Sequence, residues 1–177
     1  MIIEEEKNVV DSKEEKEFMI DHISKEDRII GLVWPSIRPG IEEMAAMHLL
    51  DGDPNTAYFK PFEIRLNLLT DPTTQLLVGF KVANKEKFMR GEITDRTYAG
   101  FCVFQYRAVG VHNYLTYIKP EYRGTNMLRL GHEFLLEMAK VIPAPVMTCC
   151  SDRKNMGATL EKLGYVEGLT EYRYKVK

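Results

Sequence analysis

The segment from Tyr117 to Met127 contains the residues best suited to bind a charged ligand. It predicts the end of a strand, a short basic loop around Arg123 and Gly124, and the start of a helix. The first N–H groups of a helix have no intrahelical acceptor, and the helix dipole adds a partial positive charge there. Such a turn suits a phosphate group, and Arg123 adds a full charge. The segment therefore predicts a phosphate-binding turn.

Hydrophobic patterns predict the elements that position this turn. The residues 98–106 and 111–118 are rich in aromatic and β-branched side chains, which predicts two consecutive strands before it. From Asn126 to Val141 apolar residues recur every three or four positions, which predicts a long amphipathic helix after it. The elements predicted next are a strand at 145–150, a helix at 153–163 that ends at Gly164, and two closing strands, from Tyr165 and over 171–176.

The first half of the chain predicts a less regular series of elements. A capping-box pattern at Ser12 to Glu15 predicts a helix from about Lys13 to Ile23, and prolines predict breaks further on. The remaining predicted elements are a strand at 29–34, a turn bracketed by Pro35 and Pro39, a helix at 41–50, a hairpin of strands 62–69 and 76–82 around a turn at 71–74, and a loop at 83–96 with one helical turn.

Composition limits the classes to which the protein can belong. The chain has 177 residues, 45% apolar and 28% charged, which predicts one soluble globular domain spanning 1–177. A net charge of −2 argues against a general nucleic-acid binder. No signal-peptide pattern and no apolar run of about 20 residues is present, which predicts no membrane segment. Three cysteines with one adjacent pair predict a reducing, cytoplasmic setting.

Acidic residues outnumber basic residues near the N-terminus. Between Met1 and Arg28 the chain has ten acidic residues and five basic ones. The segment 1–24 is therefore expected to be an acidic helical extension, either a solvated face or an arm that meets a basic partner. The four histidines and three cysteines show no paired metal-ligand spacing, so no metal site is expected. No hydrolase nucleophile, P-loop or dinucleotide-binding motif occurs.

Two motifs in the last third resemble the GNAT superfamily of acyl-CoA N-acyltransferases. Ile118-Lys119-Pro120-Glu121-Tyr122-Arg123-Gly124 resembles the family's V-x-P-x-[YF]-R-G lead-in. Asn155 to Tyr165 resembles its N-x-x-A-x-x-x-[YF]-E-K-x-G-[FY] pattern, with one residue fewer after the alanine. The resemblance covers about 111–177 and implies an α+β fold. This fold has a mixed, mostly antiparallel sheet of about seven strands between helices, with a V-shaped splay between strands four and five.

The resemblance also implies acetyl-CoA as co-substrate. The pantetheine arm would pair with strand four at Tyr117 and Ile118, and Asn155 would contact the arm. The pyrophosphate would lie against the turn, whose residues are Arg123, Gly124, Thr125, Asn126, Met127 and Leu128. Two positions depart from the family's R-G-x-G-x-[GA] loop, because Asn126 and Leu128 replace small residues. Asparagine tolerates left-handed backbone geometry, whereas leucine is bulky at the start of a helix.

The catalytic residues are less well specified by the resemblance. Leu160 stands where the family often has a tyrosine that protonates the leaving thiolate. His112, near the start of strand four, is the candidate base, because an imidazole can accept an ammonium proton near neutral pH. Tyr114 is a second candidate. Alternation along a regular strand would place His112, Tyr114 and Thr116 on one face.

The resemblance leads to two hypotheses. The first is an N-acetyltransferase that moves acetyl from acetyl-CoA to an amine of a small molecule or protein, with no metal. The acidic excess favours a cationic amine such as a lysine, a polyamine or an aminoglycoside-like compound. The second, which Leu128 and Leu160 favour, is an inactive module that holds CoA or a protein partner, either another protein or a second copy. Chain size and divergence suggest a phage or prophage origin.

Overall fold

The protein, as a computed structural model, is described over residues 17–47, 60–108, 110–140, 146–149 and 156–165. These ranges contain five strands in one sheet. The strands are β1 (Glu17–Ile23), β2 (Thr74–Val82), β3 (Arg96–Arg107), β4 (Gly110–Ile118) and β5 (Val146–Cys149). The α-helices are α1 (Asp27–Met47), α2 (Pro61–Thr70), α3 (Lys85–Met89), α4 (Met127–Lys140) and α5 (Met156–Lys162).

The strands lie in the order β1-β2-β3-β4-β5, which is also their order in the chain. The first four pair antiparallel, and β5 pairs parallel with β4. A parallel neighbour requires a crossover, which α4 provides. The mixed, mostly antiparallel sheet that the resemblance implied is confirmed, with five strands in the described residues where about seven were expected. Four of the five were predicted as strands, and β1 was not.

Helices cover the sheet on both faces, so it has two cores. On one face α1 and α2 contribute Ile30, Ile37 and Ile64 to a cluster with Val103 and Leu115 of the sheet. We call this the α1 face. On the other, α4 packs on the sheet through Leu135, Ala139 and Met127, and we call this the α4 face. Burying both faces explains why β2 and β3 are apolar along most of their length.

The predicted helix at 13–23 is wrong for its described part, because Glu17–Ile23 is strand β1. It pairs with β2 from Glu17↔Val82 to Ile23↔Leu76. Phe18 packs on the α4 face and Ile23 on the α1 face, as alternation in a strand requires. The apolar residues of so short a segment satisfied helical spacing as well, and pairing with β2 decided between the two.

The predicted strand at 29–34 and the turn between Pro35 and Pro39 are also wrong, because both lie inside helix α1. A proline within a helix costs about 3 kcal/mol, since it removes a hydrogen bond to the carbonyl four residues earlier. The carbonyls affected here belong to Gly31 and Pro35, which are exposed and can be hydrated. The buried stripe of α1 offsets the cost; its members are Ile30, Ile37, Gly40, Ile41 and Ala45.

The predicted strand at 62–69 is helix α2, so the hairpin expected there is wrong and β2 pairs with β1 and β3 instead. The strand was predicted because Phe62, Ile64, Leu66 and Leu68 alternate with polar residues. Only Ile64 and Leu68 are buried, and a spacing of four satisfies both a strand and a helix. Phe62 and Leu66 are exposed. Pro61, at the first helical position, agrees with the helix.

The other predictions on described residues are confirmed. The turn at 71–74 forms around Asp71, whose carboxylate accepts bonds from Thr73 and Thr74. Gly164 ends α5 with φ +89°, and the N–H of Tyr165 donates to the Leu160 carbonyl, as in a Schellman motif. The remaining predicted ranges lie outside the described residues, namely 1–16, 48–50 with His48, the strand end at Cys150, and the closing strands beyond Tyr165.

Two glycines of α1 allow a matched test of how closely the helix packs. A Cβ at Gly40 would lie 2.6 Å from Cδ1 of the Tyr117 ring, which itself stacks on Phe101. We expect Gly40→Ala to lower the free energy of unfolding by about 1–3 kcal/mol, because the ring cannot move without losing this packing. Chemical denaturation would measure the change.

The control is Gly31→Ala in the same helix, where an added Cβ meets nothing within 4 Å. It should stabilise the protein by about 0.5–1 kcal/mol, since alanine is the better helix former. Equal effects of the two substitutions would contradict the packing of α1 described above.

Candidate functional site

Strand β4 has two edges, and they differ in their partners. The N–H of Lys119 donates to the Ala99 carbonyl of β3 at 2.9 Å. Because backbone groups of an antiparallel strand alternate between its edges, Tyr117 also directs its N–H and C=O toward β3. Thr116 and Ile118 therefore direct theirs to the opposite edge, which faces β5.

On that opposite edge, the described pairing with β5 covers the first four residues of β4. The described pairs with β5 run from Gly110↔Val146 to Asn113↔Cys149. Within the described residues no strand pairs with β4 from Tyr114 to Ile118 on this side. We call the part of this edge from Tyr114 to Ile118, which has no strand partner among the described residues, the open edge. The backbone groups of Thr116 and Ile118 lie on it.

A β-bulge begins where this pairing ends. The register of β3 and β4 shifts so that Val103 is opposite Leu115 and Phe104 opposite Asn113, which leaves Tyr114 as the extra residue. Tyr114 and Leu115 both pack on the α1 face. The Thr116 hydroxyl instead donates to Asn113 Oδ1 at 2.9 Å.

The bulge corrects one expectation about the faces of β4. Asn113 also accepts from the Cys102 thiol at 3.5 Å, and Cys102 lies in the core under α4. Thr116 therefore lies on the α4 face, and the prediction that it shares a face with Tyr114 is wrong. Burial raises the pKa of the Cys102 thiol to about 12, which keeps it unreactive.

The predicted phosphate-binding turn follows β4 directly. Pro120–Tyr122 forms a 3-10 turn, Gly124 has φ +79°, and α4 begins at Met127. The Met127 N–H lies 3.4 Å from the Thr125 hydroxyl, and that of Leu130 donates to the Asn126 carbonyl. The N–H groups of Leu128 and Arg129, in the first turn of the helix, have no acceptor within it. The strand, turn and helix start of the sequence prediction are confirmed.

Arg123 lies on the α1 side of this turn, in contact with three groups. Its Nε donates to the Ile118 carbonyl at 3.0 Å, and its Nη2 to Glu43 Oε1 of α1 at 3.1 Å. Its guanidinium carbon is 5.8 Å from the centroid of the Tyr117 ring. The Tyr117 hydroxyl donates to the other Glu43 oxygen at 2.7 Å. Burial, followed by the bond to Glu43, raises the pKa of Tyr117 to about 12.

His112 and Tyr114, the two candidate catalytic residues, lie near the end of the β4–β5 pairing. His112 is buried, opposite Gln105 of β3 and Thr148 of β5. Tyr114 is partly buried against the core under α1. They are separated along β4 only by Asn113, so the structure places both at the inner end of the open edge.

The structure brings most of the predicted site residues into one continuous region. The turn residues from Arg123 to Leu128 follow the open edge at Ile118, and Asn155 lies outside the described residues. Sequence reasoning missed two residues, Thr116 and Glu43. The edge of β4 to which the Thr116 backbone is directed depends on how the strands pair. Glu43 contacts the turn only because α1 packs against β4 in the folded chain. No local signal could have identified either.

Several of the solved structures that superpose on this chain are named as acetyltransferases. A possible acetyltransferase from Clostridium difficile 630 superposes with a TM-score of 0.59 at 14% identity, over 90% of this chain and 98% of that one. The chain has the GNAT fold. A ribosomal-protein-alanine N-acetyltransferase from Brucella melitensis biovar Abortus 2308 gives 0.57 at 12% identity, over 90% and 100%. AAC(6')-Iy, in complex with a bisubstrate analogue containing CoA, gives 0.59 at 12%, over 91% and 99%.

The chain is similar to these proteins in structure and not in sequence. No protein-family model matches the chain, and no curated protein matches it in sequence. Nothing in the structural neighbours supports a phage or prophage origin. In the part of the chain that the structure describes, no helix is long and apolar enough to span a bilayer. In the same part, no three or more His, Cys, Asp or Glu residues are grouped so as to hold a metal ion.

The bond between Tyr117 and Glu43 predicts a pH-dependent difference in stability. The folded-state pKa of Tyr117, about 12, lies above its ordinary value of 10. The bond therefore stabilises the fold fully below about pH 10, and the contribution is lost as the pH rises toward 12. At neutral pH, Tyr117→Phe should lower the free energy of unfolding by about 1–3 kcal/mol.

Denaturation of both proteins at several pH values would measure this difference. It should stay constant between about pH 7 and 9 and shrink above about pH 10. Tyr106, whose pKa burial also raises, is present in both proteins and cancels in the comparison. A difference that does not change up to about pH 11.5 would contradict the assignment.

Proposed function

We propose that the protein is an acetyl-CoA-dependent N-acetyltransferase that acts on an amine of a small molecule or a protein. One observation carries the proposal: the open edge of β4 leads directly into a turn and the first N–H groups of α4. The first part suits an extended amide-containing arm, and the second suits a pyrophosphate. Acetyl-CoA has both, joined in that order.

The residues present fit this ligand. Thr116 and Ile118 would bond the amides of the pantetheine arm, in place of the Tyr117 backbone, which is directed toward β3. Gly124, Thr125, Asn126, Met127 and Leu128 would surround the pyrophosphate with Arg123, and Asn155 remains a proposed contact to the arm. A V-shaped splay between β4 and β5 beyond Asn113, which the resemblance implies, would admit the arm. AAC(6')-Iy, a structural neighbour, was crystallised with CoA.

Acetyl-CoA supplies an activated acetyl group: the amine nitrogen forms the new C–N bond, the C–S bond breaks, and CoA leaves as the thiol. The chain must position the two reactants and accept one proton from the amine. Holding the amine against the thioester supplies much of the rate by itself. A backbone N–H near the bulge would polarise the thioester carbonyl.

His112 is the proposed base, and it would take the ammonium proton directly or through water. Tyr114 is the second candidate, at the adjoining position on the bulge. Leu160 stands where the resemblance places a tyrosine that protonates the thiolate, so here the thiolate would be protonated by water or by Tyr114. We propose a cationic amine as acceptor, because acidic residues are in excess near the N-terminus and Glu42 and Glu43 lie on α1.

The second candidate function is a binding module without turnover. Leu160 favours it, because an alkyl side chain cannot donate a proton to the departing sulfur. Leu128 favours it too, since its partly buried side chain stands in the first turn of α4, against which the pyrophosphate would lie. Such a protein would bind CoA, or a protein partner, and consume no acetyl-CoA with any amine.

Cofactor binding is tested first by thermal denaturation and calorimetry with acetyl-CoA. Acetyl-CoA at about 100 times its dissociation constant should stabilise the native state by about 2.7 kcal/mol. Arg123→Gln should weaken binding about tenfold, because a charged hydrogen bond to phosphate is lost. Arg107→Gln, at the far end of the β3–β4 hairpin, is the control and should bind as the wild type does. No stabilisation of the wild type by millimolar acetyl-CoA would sink the proposal.

The base is tested by steady-state kinetics on a panel of amines. His112→Gln should lower kcat about 100-fold and leave KM for acetyl-CoA nearly unchanged. Tyr114→Phe, which keeps the ring and removes only the hydroxyl, should lower kcat far less. If only Tyr114→Phe is impaired, the role belongs to Tyr114. Unchanged kcat in both variants would exclude a side-chain base at this position.

A further inference from the structure

The position of Arg123 conflicts with the role that the proposed function gives it. Its Nε donates to the Ile118 carbonyl, which is one of the groups on the open edge of β4. A pantetheine amide that pairs with this edge needs the same carbonyl. Arg123, as the structure has it, therefore occupies the outer end of the edge, next to the turn.

Glu43 is the residue that holds the guanidinium there. One of its carboxylate oxygens accepts from Arg123 and the other from the Tyr117 hydroxyl. Because the two bonds use different oxygens, Tyr117 orients the carboxylate without displacing Arg123. The Tyr117 ring is itself fixed between Gly40 of α1 and Phe101 of β3. The carboxylate thus has a defined position, on a buried support.

We propose that Glu43 is a positioning residue that competes with the phosphate of the cofactor for Arg123. Without ligand, Glu43 holds Arg123 across the end of the open edge. When a phosphate-bearing ligand enters the turn, the guanidinium moves to the phosphate, the Ile118 carbonyl becomes free for the arm, and Glu43 keeps its bond to Tyr117. The inference rests on the proposed function, since it takes CoA as the ligand.

The strength of this ion pair predicts a modest effect. The side chains of Arg123 and Glu43 are 42% and 41% exposed. Pairs so exposed are weak, and removing this one should change the affinity for CoA by a factor of about two to five. The sign distinguishes the roles: a competitor weakens binding of the cofactor, whereas a residue that prepares Arg123 for phosphate strengthens it.

The experiment measures the affinity for CoA of the wild type, Glu43→Gln and Glu42→Gln by calorimetry. Glu42 carries the same charge one residue away, but its partner is Arg38 at 2.7 Å. Glu43→Gln should bind CoA about two to five times more tightly than Glu42→Gln, which controls for the lost charge. KM for acetyl-CoA should be lower in Glu43→Gln than in Glu42→Gln, and the melting temperature of Glu43→Gln should not rise. Equal or weaker binding by Glu43→Gln would overturn the proposal.

A second readout separates this inference from the proposed function. Hydrogen exchange at Arg123 Nε–H, followed by NMR, should be slower in the wild type than in Glu43→Gln. Inorganic pyrophosphate should shift this resonance at a lower concentration in Glu43→Gln. If the wild type does not bind CoA, the proposed function fails. The exchange rate of Arg123 Nε–H and its response to pyrophosphate then decide whether Glu43 competes with phosphate for Arg123. Equal exchange rates in the two proteins, or no shift by pyrophosphate in either, would overturn the competition.

Discussion

The bulge in β4 is the constraint on which the site depends. An extra residue at Tyr114, opposite β3, increases the local twist of the strand. The described pairing of β4 with β5 ends one residue earlier, at Asn113. Up to that point β5 pairs with β4, and beyond it the described residues include no strand partner on this edge. The bulge thus lies at the boundary between the part of β4 that pairs with β5 and the part that we propose binds the ligand.

The same strand connects the gap to the buried core. Tyr117 lies opposite Phe101 of β3 and contacts α1 at Gly40, while its hydroxyl reaches Glu43. Ile118, the next residue, directs its backbone to the open edge and its side chain toward α4. Adjacent residues therefore serve the two sides of the sheet. The turn that follows Ile118 is therefore held in a fixed position relative to α1, which lies on the opposite face of the sheet from α4.

Much of the second half of the fold could be predicted from the sequence, because its signals are local. The turn at Gly124 lies between a strong strand pattern and a strong helix pattern, and all three were predicted. Parts of the first half could not, because their apolar residues are compatible with two structures. Ile64 and Leu68 satisfy a strand and a helix equally, and Pro35 and Pro39 conceal a helix that burial stabilises. The sequence also carried no sign of the bulge, so the face of Thr116 was predicted wrongly.

The two prolines of α1 give this helix an uneven stiffness. The helix lacks two of its hydrogen bonds near its middle, because neither Pro35 nor Pro39 has an N–H to donate. Trp34, before these gaps, lies beside Arg65 of α2, whereas Glu43, after them, is bonded to the end of β4. The two missing hydrogen bonds thus lie between a residue of α1 that contacts α2 and the residue of α1 that is bonded to the end of β4.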